Sequence, residues 1–287
     1  MATPMEILRK YKVRPRKKLG QSFLIDANVA AVIIKSSDIK ADEVIVEIGP
    51  GCGALTSLIV KEARKVIAVE IDNRMVDILR EELNDSSNLE IVHQDILNYD
   101  FTMPLRENAD IAGVNIIGNI PYSISSQILF RLIHFRHAIS SMTLMFQKEV
   151  ADRIMAPPDT KQYGILSVMT AMYTPPSRVM NVPASCFYPR PLVDSSVLKF
   201  KVRRNPLYAV RDNDLFLKVV KCAFAKRRKT LFNNLRSSDV FLTGGDDIQE
   251  TLNRLDIDGR RRGETLTVEE FGMLSDAILD LQLHKKK

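Results

Sequence analysis

The 287-residue sequence predicts an α/β protein: a doubly wound, mostly parallel sheet to about residue 204, then a small all-helical domain. Three observations predict it. Short apolar runs alternate with helix-period segments from Leu24 to Phe146, the pattern of βαβ units. The first run, Val44–Ile48, ends in the turn Gly49-Pro50-Gly51-Cys52-Gly53. Beyond a basic, proline-ended linker at Arg203–Pro206, only helical periodicity remains.

The elements follow in order. Leu24–Lys35 reads as a helix, with Asp26 placed to cap it and Val29, Val32 and Ile33 on one face. Val44–Ile48 is a buried strand, Ala54–Lys61 the helix after it and Lys65–Ile71 the second strand. Arg74–Leu83 is a helix with Met75, Ile78 and Leu79 on one face. Leu89–His93, Ile111–Ile117 and Met142–Phe146 are further strands, and Ile124–Ile133 is the helix between the last two. Lys148 and Glu149 form a helix-start charge pair. Met169–Tyr173 and Ser195–Val202 read as strands around a proline-rich stretch, Pro175–Pro191, and extend the sheet in antiparallel fashion. Asp212–Ala225, Lys229–Arg236, Asp246–Leu255 and Val268–Leu281 read as helices. The domains are therefore expected at 1–204 and 205–287.

Composition excludes several classes. With 45% apolar and 26% charged residues the chain can bury a core, so disorder is excluded. No run of about 18 apolar residues occurs, which excludes a membrane span. Cys52, Cys186 and Cys222 are few, odd in number and far apart, so neither a disulfide framework nor a zinc site is expected. His134 and His137 lack a third ligand, and no metal is expected. Met1–Leu8 does not read as a secretory signal, so a reduced, cytoplasmic protein is expected. No self-association stripe appears, and a monomer is expected.

Charge is unevenly spread. Residues 1–20 carry seven basic residues against one acidic, and residues 199–236 carry 12 against two. The body between them, 21–198, carries 15 against 21. Two basic blocks around an acidic body point to a polyanionic partner, although such runs also read as solvated helix faces.

The glycine turn follows a strand and opens a helix, where glycines let a ligand approach the backbone. Glu70 ends the second strand, 21 residues after Gly49, where a carboxylate accepts from both ribose hydroxyls of a bound nucleoside. Asp95 follows the third strand and can accept from an adenine amine. This sugar-plus-adenine pattern fits NAD or S-adenosylmethionine equally.

Asn119-Ile120-Pro121-Tyr122 follows the fourth strand and carries the chemistry. An adenine amine is a poor nucleophile because its lone pair is delocalised. Two acceptors on its hydrogens, the Asn119 side-chain oxygen and the Ile120 carbonyl, favour a pyramidal nitrogen that can face a methyl sulfonium. Pro121 keeps Ile120 extended and so fixes that carbonyl. Tyr122 offers a stacking face. No base is needed, so catalysis would rest on orientation and electrostatics.

The Asn-Ile-Pro-Tyr segment after a Glu-Ile-Gly-Pro-Gly turn resembles the adenine-amine methyltransferases, and in particular the rRNA adenine N6-dimethyltransferase family of the KsgA type. Further segments carry the resemblance: Gly20-Gln21-Ser22-Phe23-Leu24, Phe187-Tyr188-Pro189-Arg190-Pro191-Leu192-Val193-Asp194-Ser195, the run Phe224–Leu235, and Arg262-Gly263-Glu264-Thr265-Leu266 with Glu270-Phe271. The resemblance implies a Rossmann-like S-adenosylmethionine-dependent methyltransferase domain with a small C-terminal helical domain. It implies two methyl transfers to each of two adjacent adenosines in the 3′-terminal hairpin of small-subunit (16S) rRNA, in a partly assembled small subunit. By position, Ser22, Leu24, Gly49, Gly51, Glu70, Ile71, Asp95, Ile96 and Asn119 would hold the cofactor, S-adenosylmethionine. Asn119, Ile120, Pro121 and Tyr122 would form the reaction site, with Phe187 stacking on the other face of the base. Phe187 also reads as a core aromatic, because Val197 and Leu198 nearby read as sheet core. Arg16, Lys17, Lys18, Lys226, Arg227, Arg228 and Lys229 would contact RNA phosphates.

One residue departs from the family pattern, which has Asn where this chain has Ser22. Serine is shorter, so a weaker or water-bridged cofactor contact is expected there. Three alternatives compete: a large-subunit rRNA adenine methyltransferase of the macrolide-resistance type, a nicotinamide oxidoreductase, and a non-catalytic ribosome-assembly factor. The Phe224–Leu235 run and closing motif disfavour the first, and Asn119–Tyr122 has no role in the second. The intact set Gly49, Glu70, Asp95 and Asn119–Tyr122 speaks against the third.

Overall fold

The computed structural model describes residues 3–107, 110–238 and 245–284, with Lys17 described in its backbone only. The chain forms two compact units, Met1–Ala151 with Pro176–Val202, and Asp152–Pro175 with Arg203–Lys287. The expected crossing near residue 204 falls at Val202–Arg203, but the segment Asp152–Pro175 groups with the helical unit and not with residues 1–204. Among the described residues no helix is long and apolar enough to cross a membrane.

The first unit opens with α1 (Pro4–Lys10), which the sequence reading did not anticipate. A reciprocal Thr3–Glu6 capping box starts it. Next come β1 (Phe23–Leu24), α2 (Ala27–Ser37), β2 (Val44–Ile48), α3 (Thr56–Glu62), β3 (Lys65–Glu70), α4 (Asn73–Glu82) and β4 (Leu89–His93). Then follow α5 (Met103–Glu107), β5 (Val114–Asn119), α6 (Ser125–His134), β6 (Ile139–Gln147) and α7 (Lys148–Ile154). After α8 (Ile165–Tyr173) of the second unit, β7 (Pro176–Val182), β8 (Phe187–Tyr188) and β9 (Ser195–Lys201) complete the strands.

Seven strands form one sheet in the order β4-β3-β2-β5-β6-β9-β7. The first five are parallel, and β9 and β7 run antiparallel; β9 is the expected extension strand, whereas β7 falls within the proline-rich stretch that was expected to be a connection. The β2 pattern Val-Ile-Val-Glu-Ile is buried throughout because helices cover both faces of a parallel sheet. Strand order reverses between β2 and β5, and the crevice above that switch point is where ligands bind in open α/β sheets.

Two expected elements differ. Leu24 lies in β1, because the Asp26 carboxylate caps the N–H groups of Asn28 and Val29 and starts α2 only at Ala27. In β1, Leu24 pairs with Phe187 and Phe23 with Tyr188. Met169–Tyr173 is helical, the end of α8. Seven of its nine residues are buried, so no polar face marks its period. A short apolar run cannot be told from a buried strand by periodicity. In the second unit, α8, α9 (Asn213–Ala223), α10 (Leu231–Arg236), α11 (Gly245–Arg254) and α12 (Val268–His284) enclose Phe216, Leu231, Leu252 and Phe271.

Candidate active site

A cavity of about 270 Å³ opens above the β2/β5 switch point. It is lined by the β2 turn, the ends of β3 and β5, the loop after β4 and residues 18–24. All expected cofactor and reaction residues from Ser22 to Tyr122 line it.

The turn after β2 works because three glycines take positive φ, among them Gly49 at 63° and Gly51 at 58°. A Cβ on Gly51 would lie 2.9 Å from the Phe23 ring, so a side chain there would push the N-terminal segment away. On Gly49 a Cβ would meet only the Asn119 carbonyl, at 3.8 Å, so this backbone is open to a ligand.

Glu70 closes the nucleotide end. Its Oε1 accepts the N–H groups of Ile71 and Asp72, both at 2.9 Å, and its Oε2 accepts that of Gly51 at 3.1 Å. A carboxylate has about four acceptor sites, so roughly one is left, on Oε2. That leaves an acceptor facing the cavity for a ribose hydroxyl. Burial raises the Glu70 pKa overall, although the three N–H donors pull it down. Glu47, 1% exposed, lies beside it with Oε2 unpartnered among the described residues. Burial, reinforced by the charge of Glu70, pushes the Glu47 carboxyl up to about 8. Asp95 accepts the Leu97 N–H with Oδ1 at 2.9 Å. Ile71, 47% exposed, presents an apolar face to the cavity.

The reaction end is arranged differently. Asn119 donates its Nδ2–H to the Ser22 carbonyl at 2.9 Å, which fixes the amide so that Oδ1 is its remaining pole. No donor among the described residues reaches Oδ1 or the Ile120 carbonyl. The Ile120 N–H is held by the Met145 carbonyl at 3.3 Å. The Tyr122 hydroxyl lies 2.6 Å from Ser195 Oγ, which anchors the ring. Burial raises the Tyr122 pKa and the Ser195 bond opposes this, so the phenol stays neutral at physiological pH.

Other expected residues lie elsewhere. Phe187 is 3% exposed and belongs to the core cluster of Leu24, Val29 and Val197, and it does not line the cavity. Pairing with β1 turns it inward and leaves Tyr188 exposed. Arg16 is ion-paired at 3.1 Å to Asp72, whose side chain is fully buried. Arg227 is engaged by Glu264 at 3.0 Å and by the Lys161 carbonyl. Lys18, Lys226, Arg228 and Lys229 are exposed, and the Lys17 side chain lies outside the described residues. The Ser22 hydroxyl donates to the Pro189 carbonyl at 3.0 Å instead of pointing a donor at a cofactor.

The sequence reading missed Asp72. It caps α4 through the Arg74 N–H and gathers Arg16, Gln21 and Arg74. Burial opposes its ionisation, but hydrogen bonds from Arg74 and Gln21 hold its pKa below the ordinary value. An Asp just before a helix-period segment is the available signal. Through Gln21 and Arg16 it fastens the segment that roofs the cavity.

The family model for ribosomal RNA adenine dimethylase matches residues 12–278. A ribosomal RNA small subunit methyltransferase A of Syntrophus aciditrophicus is 44% identical over 273 residues, covering 95% of this chain and 97% of that protein. One of Geobacillus kaustophilus is 43% identical and covers 98% of each. Among solved structures, a dimethyladenosine transferase from Plasmodium falciparum superposes with a TM-score of 0.75 at 26% identity, covering 91% of this chain and 97% of that one. The 23S rRNA methyltransferase ErmE reaches 0.65 at 26% identity, covering 89% and 99%. With a cavity at the switch point, an acceptor pair beyond β5 and a family match over nearly its whole length, the chain belongs to the ribosomal RNA adenine dimethylase family.

Proposed function

We propose that this chain transfers methyl groups from S-adenosylmethionine to the exocyclic amines of two adjacent adenosines in the 3′-terminal hairpin of small-subunit rRNA. Each becomes N6,N6-dimethyladenosine. The observation that carries the reading is the acceptor pair, Asn119 Oδ1 and the Ile120 carbonyl, in one cavity with Glu70. The residues fit such a cofactor: Glu70 keeps an acceptor for a ribose hydroxyl, and the Glu47 oxygen without a partner among the described residues is open to a polar group of the ligand.

S-adenosylmethionine bound there supplies an electrophilic methyl: the amine forms a C–N bond as the C–S bond breaks, and sulfur leaves as a thioether. Asn119 and Ile120 hold the two amine hydrogens and turn the nitrogen lone pair towards that methyl. The Asn119 oxygen, held from behind by Ser22, stabilises the positive charge that develops on nitrogen. The displaced proton then leaves for water. Tyr122 stacks on the extruded base. Exposed Lys18, Lys226, Arg228 and Lys229 contact phosphates of a partly assembled small subunit, and the enzyme acts as a cytoplasmic monomer.

A large-subunit RNA target is the second reading, favoured by the likeness to ErmE. The small subunit is preferred because the 44% and 43% identical relatives carry that name. The test supplies labelled S-adenosylmethionine with small subunits from cells lacking the modification. Mass mapping should place dimethyladenosine in the 3′-terminal hairpin. Label confined to large-subunit RNA, or absent altogether, would refute the reading.

A further inference from the structure

The loop between β8 and β9 carries an exposed surface that the reading above does not use. It is braced beside the reaction end. Ser22, a cavity residue, donates to the Pro189 carbonyl, and Tyr122 is bonded to Ser195 at the loop's far end. Asp194 ties the base: its Oδ1 accepts the Ala184 N–H at 2.9 Å, and its carbonyl accepts the Lys148 N–H at 2.9 Å. Pro189 and Pro191 each fix a backbone φ, so the tip between the anchors is stiff.

That stiff tip points apolar groups at solvent. Leu192 is fully exposed at 102%, with Tyr188 at 42% and Val193 at 45%. A single exposed leucine requires no explanation. Three large apolar side chains within six residues, on a loop pinned at both ends to a cavity wall, make a surface. Arg190 stands among them, exposed and without a partner among the described residues.

An apolar tip with an adjacent cation fits a nucleic-acid strand: the tip enters a base step and the cation meets the backbone phosphate. An enzyme that extrudes a base leaves a gap in the stack, and an unfilled gap favours the base's return. We propose that Leu192 is the wedge that fills the gap left by the extruded adenosine, with Arg190 on the neighbouring phosphate. The proposal rests on the reading of this chain as an RNA adenine methyltransferase.

The probe is a small ribosomal subunit lacking the modification, with 2-aminopurine in place of one target adenosine. Its fluorescence rises as the base leaves the stack. Wild-type protein should raise it, and Leu192→Ala should lower both the rise and the kcat/KM for transfer to unlabelled subunits by about ten- to a hundredfold. Leu192→Met should restore both to within about threefold, because an apolar side chain of similar volume returns. Cofactor affinity, measured by calorimetry, should not change. Wild-type protein that neither raises the fluorescence nor transfers methyl groups would refute the functional reading itself. Active wild-type protein with Leu192→Ala and Leu192→Asp equally active would overturn the wedge alone. A Leu192→Ala variant that lost cofactor affinity would also overturn it, by placing the side chain at the cofactor.

Discussion

The two ends of the cavity treat their hydrogen-bond acceptors in opposite ways. At the nucleotide end Glu70 accepts three backbone N–H groups and keeps about one site, and Asp95 is partly engaged by Leu97. At the reaction end the Asn119 oxygen and the Ile120 carbonyl accept no hydrogen bond from the described residues. The difference follows from the work each end performs. A hydroxyl needs one well-placed acceptor, and the N–H bonds that hold the carboxylate make it rigid. An amine that must become nucleophilic needs both acceptors whole. Preorganisation therefore comes from behind: the Asn119 donor side is tied to Ser22, and the Ile120 N–H to Met145.

Asn119→Ala should break the reaction end most severely. Loss of a preorganised polar group at a reacting centre typically costs about 10²–10³ in kcat. Transfer to small subunits should fall by that factor, while calorimetry should find cofactor affinity within about threefold of wild type. Equal losses in both would show that the two ends are not separable.

Glu70→Ala should do the reverse. It strips the shared acceptor from Gly51, Ile71 and Asp72 as well as from the ligand. Hydrogen bonds to a charged group are each worth about 1.5–3 kcal/mol. Cofactor affinity should drop about ten- to a hundredfold and the urea midpoint should fall. Unchanged stability would mean that the three N–H contacts do not organise the turn.

How much of this was legible depends on whether a residue's surroundings are local in sequence. The strands Val44–Ile48 and Leu89–His93 were read to the residue, because short runs bounded by turn residues announce strands, the first fully buried and the second at the sheet edge. The cavity residues were legible because the strand-to-helix turns of a parallel sheet all open on one edge. Phe187 was legible only as two alternatives, a stacking ring or a core aromatic, because its direction is set by pairing with Leu24, far away in sequence. The ion pairs of Arg16 and Arg227 were hidden for the same reason: their carboxylate partners, Asp72 and Glu264, cannot be paired with them from spacing. Charge counting finds a basic block, but not which of its members are already neutralised.

Glu47 separates the ends by pH. Its carboxyl is raised from 4.5 to about 8, so the folded chain keeps a proton that the unfolded chain loses. The stabilisation is full below about pH 4.5 and disappears as pH rises through 8. Glu70 is raised too and adds a slope of the same sign. The reaction end adds none, since Tyr122 is shifted upward, away from this range. Unfolding free energies from urea titrations at pH 5 and pH 8.5 should differ by roughly 4 kcal/mol more in wild type than in Glu47→Gln. Equal differences would place the proton elsewhere.

The smallest effect belongs to Ser22, where the ends meet. Its carbonyl holds Asn119 and its hydroxyl holds the Pro189 carbonyl. Ser22→Ala removes only the second bond, worth about 1 kcal/mol or less at an exposed site. The backbone bond to Asn119 survives, so the acceptor pair keeps its orientation. Cofactor affinity should stay within about twofold, while methyl transfer falls by up to about fivefold as the loop carrying Pro189 loosens. A tenfold loss of cofactor affinity would move the hydroxyl to the nucleotide end. Ser22 would then be a shortened version of the family's asparagine still doing its work, rather than a residue reassigned to bracing the loop over the reaction end.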